Sequence, residues 1–233
     1  MATDRSVYTM NGYRVIKLRM KNYDIINYTY IVIDTLSKQA AVIDPAWEMA
    51  KIVSVVEGYE VRLSKILVTH SHHDHVNLVE PLVELYNSAV FMSRQEIDYY
   101  RYSCKNLNAL RDGEKVDLGE TKIGSVLTPG HSAGSTCFSL PDAIFTGDTI
   151  FTEGCGVCFL PGGSPYKMFD SIQKVKKLIS TDTLVFPGHS YKFEPGKNTE
   201  FLMEYNIYFQ IEDRELFADF RMRQGNAGKR MFI

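Results

Sequence analysis

The run Thr69-His-Ser-His-His-Asp-His75 puts four imidazoles and one carboxylate into six consecutive positions, His70 to His75. It follows directly on Lys65-Ile-Leu-Val-Thr69, a short apolar segment that reads as a buried strand. His70, His72 and Asp74 alternate, so an extended strand end aims all three the same way, and His75 then begins a helix. His73 points opposite to His72 and is expected to stay outside the cluster. Imidazole is the commonest protein ligand for zinc and related metals. The chain has six histidines in all, and the remaining two lie in Thr128-Pro-Gly-His131 and Phe186-Pro-Gly-His189.

Each of these groups comes just after a short apolar stretch. Val68 leads to His70, Leu127 to His131, Phe145 to Asp148, Phe186 to His189, and Ala41-Val-Ile43 to Asp44. Side chains held at the ends of several packed strands can converge on one point with little freedom. His70, His72, Asp74, His75, His131, Asp148 and His189 make seven candidate ligands, enough for two ions, which need about six to eight donors plus water. Asp148 is the natural bridge, because one carboxylate can give an oxygen to each ion. Two ions roughly 3.5–4 Å apart can share a hydroxide near neutral pH and polarise a carbonyl beside it. Asp74 would orient that hydroxide. A closed structural metal site is usually rich in cysteine. Here Cys104, Cys137, Cys155 and Cys158 lie away from the histidine motifs, which favours an open, catalytic site.

Between these motifs the pattern alternates strand and helix. Residues 12–19, 27–34, 39–44, 65–69, 89–92 and 183–186 read as strands, and 115–128 and 135–151 as strand-rich. Residues 46–58, 76–87, 95–103, 197–208 and 211–222 read as helices. Val79, Leu82, Val83 and Tyr86 mark the apolar face of the second of these. Ser164-Pro165 is a helix start, with Met168, Ile172, Val175 and Ile179 at helical period. This order suggests two sheets packed face to face with helices outside. One domain over 1–233 is expected, with 197–233 as a C-terminal helical extension.

With 45% hydrophobic and 23% charged residues and a net charge of -2, the chain reads as a globular protein. That charge gives no general case for nucleic acid or a membrane as partner. No apolar run approaches 18 residues and the start Met-Ala-Thr-Asp-Arg lacks a signal peptide's apolar core, so the cytosol is the expected compartment. Cys155-Gly-Val-Cys158 fits C-x-x-C but has no second pair at zinc-knuckle spacing, and reads as an ordinary loop.

The order H-x-H-x-D-H, Pro-Gly-His, Gly-Asp, Pro-Gly-His over residues 25 to 210 resembles the metallo-β-lactamase superfamily. The resemblance implies an α/β (α+β) fold, a four-layer αβ/βα sandwich with a dinuclear site at one edge. It implies that His70, His72 and His131 bind one metal, that Asp74, His75 and His189 bind the other, and that Asp148 bridges. Asp44 would support the site from behind. The ions would be two divalent metals, zinc above all, though the same donors accept iron or manganese.

Within the superfamily, Phe145-Thr-Gly-Asp-Thr-Ile-Phe151, Gly154-Cys-Gly156, Met168 and Gly188-His-Ser-Tyr191 are similar to glyoxalase II, the hydroxyacylglutathione hydrolases. Where those enzymes carry a basic residue and an aromatic hydroxyl for glutathione, this chain has Val157 and Phe159, and only Tyr191 remains. The apolar Val157, Cys158, Phe159 and Leu160 suit a longer, less polar thioester. The whole pattern, with His-Asp-His-Val-Asn-Leu78, looks like the zinc-dependent hydrolases of trans-acyltransferase polyketide synthase clusters (the PksB/BaeB type). That resemblance implies thioester hydrolysis releasing acyl groups from phosphopantetheine on an acyl carrier protein. Glyoxalase II activity is the alternative, and a mononuclear iron persulfide dioxygenase shares the scaffold. The basic residues Arg221, Arg223, Lys229 and Arg230 could dock an acidic carrier protein, but among Glu212, Asp213, Glu215 and Asp219 they read first as a solvated tail.

Overall fold

The computed structural model describes residues 4–227. In chain order the first half contains β1 (Arg5–Thr9), β2 (Tyr13–Asn22), β3 (Ile25–Asp34), β4 (Gln39–Ile43), α1 (Met49–Gly58), β5 (Arg62–Leu67), α2 (His73–Val76), α3 (Val79–Tyr86), β6 (Ala89–Ser93), α4 (Arg94–Tyr100) and β7 (Leu107–Leu110). The second half contains β8 (Lys115–Leu118), β9 (Thr121–Leu127), β10 (Thr136–Ser139), β11 (Ala143–Gly147), α5 (Pro165–Leu178), β12 (Leu184–Pro187), β13 (Lys197–Asn198), α6 (Thr199–Tyr205), α7 (Ile207–Gln210) and α8 (Arg214–Ala227). Strands β1 to β7 form one sheet in chain order, and the other runs β13-β12-β11-β10-β9-β8. In the first sheet β1–β4 pair antiparallel, and β4–β7 pair parallel with helices in the connections. Parallel neighbours need such crossovers, and the crossovers cover the outer face of the sheet.

The side-chain alternation along the strands separates the layers. On β2, Tyr13 and Val15 face the space between the sheets, while Ile16, Leu18 and Met20 face the helices. On β3 and β4, Tyr28, Tyr30, Val32, Ala41 and Ile43 face inward, and Ile31, Ile33, Ala40 and Val42 outward. The inner layer is closed by Phe138, Phe145 and Phe186 from the second sheet. A third cluster joins the far face of that sheet to α5, α7 and α8 through Ile144, Val185, Ile172, Phe209 and Phe217. Three apolar layers between four stacked elements make the αβ/βα sandwich, with period-2 strands buried on both faces.

Several details differ from the sequence expectation. The first helix starts at Met49 rather than residue 46, since Ala46 to Glu48 form a turn, and Trp47 there takes a positive φ of 58°. Strands β1 and β7 were not foreseen; each is an edge strand with a weak apolar signal. The expected helix 197–208 breaks at Asn206. Its side chain accepts from the Tyr208 amide and donates to the Phe151 and Gly154 carbonyls, so it ties α7 to the loop after β11. Arg221 is buried against that same loop and is not a tail charge, while Arg223 pairs with Asp219 on the surface of α8. Lys229 and Arg230 lie outside the described residues. Among the described residues no helix is long and apolar enough to cross a membrane.

Candidate metal centre

The two sheets are joined by backbone bonds at the edge where the histidine loops emerge. The Tyr28 amide donates to the Gly188 carbonyl at 2.8 Å and the Thr136 amide to the Thr69 carbonyl at 2.9 Å. All the sequence-picked ligands meet here. His70, His72 and His131 form one group, Asp74, His75 and His189 a second, and His70, His75 and Asp148 a third between them; within each group one donor atom per residue lies within 4.8 Å of the others. His73 is in none of them, and its ring meets Trp47 edge-on at 5.7 Å.

The hydrogen bonds fix which nitrogen faces the centre. Asp44 accepts the Thr69 amide at 2.8 Å, the Thr69 hydroxyl at 2.7 Å and His75 Nδ1–H at 2.9 Å. With the Thr69 hydroxyl proton committed to Asp44, His70 Nδ1–H donates to Thr69 Oγ1 at 3.0 Å. His131 Nδ1–H donates to the Val157 carbonyl at 2.8 Å and His189 Nδ1–H to the Ile26 carbonyl at 2.7 Å. Four imidazoles therefore turn their Nε2 atoms toward one point, each held by a fixed acceptor behind it. Outer hydrogen bonds of this kind orient metal ligands. Asp148 stands between the groups, with one oxygen 3.5 Å from His75 Nε2 and the other 3.5 Å from His131 Nε2 and 3.6 Å from His189 Nε2.

Three buried atoms in this cluster, His70 Nε2, His75 Nε2 and Asp148 Oδ1, have no hydrogen-bond partner. Orphaned buried donors and acceptors are costly, and two divalent cations sharing Asp148 would satisfy all three. The donor set fits such ions. Burial, reinforced by the neighbouring imidazoles, holds His70 well below the usual histidine range. Burial also takes His131 to about 4, against the pull of Asp148. At His75 burial opposes protonation, but Asp148, Asp74 and Asp44 outweigh it and lift the ring to about 10. Without ions, then, the carboxylates favour a proton on His75, while His70 and His131 stay neutral and free to ligate.

Three supporting residues were missed in the sequence. Asn27 Nδ2 donates to Asp74 Oδ2 at 3.0 Å, and its oxygen accepts Trp47 Nε1–H at 2.7 Å. Glu96, fully buried at the start of α4, accepts the Ser71 amide and hydroxyl on one oxygen, each at 2.8 Å. Its other oxygen accepts the Ser132 hydroxyl and the Gly134 amide, again at 2.8 Å. Ser71 lies between two histidines and Ser132 follows another, so one carboxylate clamps both loops of the His70, His72, His131 group.

Beside the centre lies a cavity of about 400 Å³ whose lining includes His131, Asp148 and His189, and further out Phe151, Glu153, Val157, Phe159, Tyr191, Tyr208 and Arg221. Val157, Phe159 and Tyr191 are part of this lining. Cys158 and Leu160 are not: Cys158 is packed into the helix-side core and Leu160 is exposed. Gly156 forms the floor. A Cβ there would lie 2.3 Å from the Asp148 carbonyl oxygen and 2.8 Å from His131 Nδ1. Gly156→Ala is expected to cost about 1–3 kcal/mol through overpacking and to break the bond from His131 to Val157. A melting curve and the metal content of the variant check this; unchanged values in both would show that the loop yields freely.

The sequence pattern of the metallo-β-lactamase superfamily matches residues 23–189. The chain belongs to this superfamily. The "Probable polyketide biosynthesis zinc-dependent hydrolase PksB" of Bacillus subtilis (strain 168) is 45% identical over 216 residues, 93% of this chain and 96% of that protein. The similarly named BaeB of Bacillus velezensis is 50% identical over 202 residues, 87% and 90% of the two chains. Among solved structures, ETHE1 from Myxococcus xanthus superposes with a TM-score of 0.80 at 27% identity, covering 89% of this chain and 90% of that one. Membership accounts for the shared sandwich.

Proposed function

We propose that the chain is a zinc-dependent hydrolase with two ions, releasing acyl groups from the phosphopantetheine thiol of an acyl carrier protein in polyketide biosynthesis. The observation that carries this reading is the set of four outward-tethered imidazoles and two carboxylates opening onto a cavity with apolar walls. The names of the Bacillus relatives support the metal, the reaction type and the pathway for this chain.

Bound divalent ions supply Lewis acidity and a water of lowered pKa. His70, His72 and His131 would hold one, Asp74, His75 and His189 the other, and Asp148 both. The rest is done by the chain. Asp74 Oδ2, fixed by Asn27, presents a carboxylate that can accept a hydrogen from the attacking water and so orient it. Phe151 and Val157 give the reacting carbonyl a dry wall, which strengthens electrostatic contacts there. A thiolate leaves without a strong general acid, since its conjugate pKa is about 8.5.

A hydrolysis screen of matched acyl groups on glutathione, coenzyme A and acyl carrier protein, with metal analysis of the same sample, tests the reading. The expected result is two zinc ions per chain and preference for the carrier-protein thioester. Faster cleavage of S-lactoylglutathione would overturn the carrier assignment. One iron with oxygen uptake on a persulfide would overturn the hydrolase.

A further inference from the structure

Arg221 reaches the cavity from α8 and is only 8% exposed. Its Nε donates to the Gly156 carbonyl at 2.8 Å, and its guanidinium sits 5.9 Å from the Tyr208 ring centre. It also contacts the Tyr208 hydroxyl and the Cys158 thiol. These partners are neutral: burial pushes Tyr208 up to about 12 and Cys158 up to about 11. Among the described residues no carboxylate pairs with Arg221, whereas the buried Lys17 has Glu194 at 2.7 Å. Glu153, the other acidic wall residue besides Asp148, has one oxygen held at the Tyr191 and Lys192 amides, and its second oxygen is buried without a hydrogen-bond partner. A buried guanidinium keeps its charge, and without a counter-ion it is costly.

The burial of the cavity wall gives the ligand a direction. Tyr191 is 60% and Phe159 50% exposed, so they mark the mouth, while Tyr208 at 4% and Arg221 mark the closed end. A pantetheine arm attached to a protein must leave by the mouth, so the acyl group takes the closed end. Gly156 ties this end to the centre through the backbone: its amide donates to the Asp148 backbone carbonyl at 2.9 Å and its own carbonyl accepts Arg221. The acyl chain between the reacting carbonyl and the guanidinium is therefore short.

Building on the thioesterase reading, we infer that Arg221 binds a carboxylate at the far end of the acyl group, so the preferred substrates are mono-thioesters of short dicarboxylic acids. Water adds to the thioester carbonyl, the carbon–sulfur bond breaks, the free thiol departs with one proton, and the diacid is released. Arg221 acts on specificity and touches only the distal carboxylate.

The test uses the zinc-loaded protein and two S-alkyl pantetheine thioethers that cannot be hydrolysed, one ending in a carboxylate and one in a methyl of equal length. Calorimetry should show the carboxylate form binding at least about tenfold tighter, as a charge-assisted hydrogen bond provides. Arg221→Met should bring the ratio to about one, and Arg221→Lys should restore part of it. Succinyl- and butyryl-pantetheine should divide in kcat/KM in the same way. No preference in the wild-type protein, or an unchanged ratio in Arg221→Met, overturns the subsite. If Arg221→Met does not fold, the wild-type ratio and Arg221→Lys decide. Arg221-dependent binding without hydrolysis of either thioester would keep the subsite and reject the thioesterase reading.

Discussion

Asp148→Ala is expected to reduce hydrolysis by on the order of 10³-fold or more and to lower the bound metal from two ions toward one or none. The carboxylate faces both groups, with Oδ2 near His131 and His189 and Oδ1 near His75, and nothing adjacent can replace it. Gly147 and Gly188 flank it, and a Cβ on Gly188 would lie 2.7 Å from Asp148 Oδ1, so the backbone is already at closest approach. Removing the bridge also removes one of the three carboxylates, with Asp74 and Asp44, that face the clustered imidazoles. Two cations held close together need that charge. Metal that binds only the folded chain adds about 2.7–4.1 kcal/mol of stability when present at 100 to 1,000 times its dissociation constant. A chelator should therefore lower the melting temperature of the wild-type protein and leave Asp148→Ala nearly unmoved. Asp148→Asn, which keeps the shape and loses the charge, should behave like the alanine variant. Two ions and full hydrolysis in either variant would reject a bridging role.

Most of the candidate ligands were legible in the sequence because they follow a strand, and a strand end fixes direction; Asp74 and His75 instead lie in α2, which starts at His73, so the expected strand-like alternation stops at His72. Asp44 was legible for the same reason, and it does hold Thr69 and His75 from behind. The four layers followed from strand and helix alternation. What stayed hidden depends on contacts distant in the chain. Arg221 sits among Asp219, Met222 and Arg223, whose composition is that of a solvated helix; only the packing of α8 turns it inward. Asn206 looks like any helical position until its side chain is seen to join Phe151 and Gly154. Glu96 lies in Arg94-Gln-Glu-Ile-Asp98, a polar stretch with nothing to mark one carboxylate from the next. Its partners are 25 to 38 residues away. The one local hint is Ser93, three residues earlier, which caps the helix and thereby fixes where Glu96 points.

Glu96→Ala should be the most damaging change outside the ligands themselves. It leaves the Ser71 and Gly134 amides buried without acceptors, at about 1–3 kcal/mol each, and frees two serine hydroxyls that can turn elsewhere. A loss of about 3–5 kcal/mol is expected for breaking such a buried charged network, a large part of the 5–15 kcal/mol typical of a folded domain. Glu96→Gln is the gentler probe: its carbonyl oxygen can still accept on one side, while its amide meets donors on the other. The two ligand groups share Asp44, which holds His75 directly and His70 through Thr69, but Glu96 serves only one of them. Glu96 holds the loops of His70, His72 and His131, whereas Asp44, Asn27 and the Ile26 carbonyl hold His75, Asp74 and His189. Glu96→Gln should therefore weaken one ion by about 10–100-fold, the usual effect of losing an outer-shell partner, and spare the other. A chelator titration that resolves the two sites should show one early and one late release. Simultaneous release of both ions would mean that the bridge through Asp148 and the shared Asp44 couple the two groups more tightly than the one-sided Glu96 clamp sets them apart.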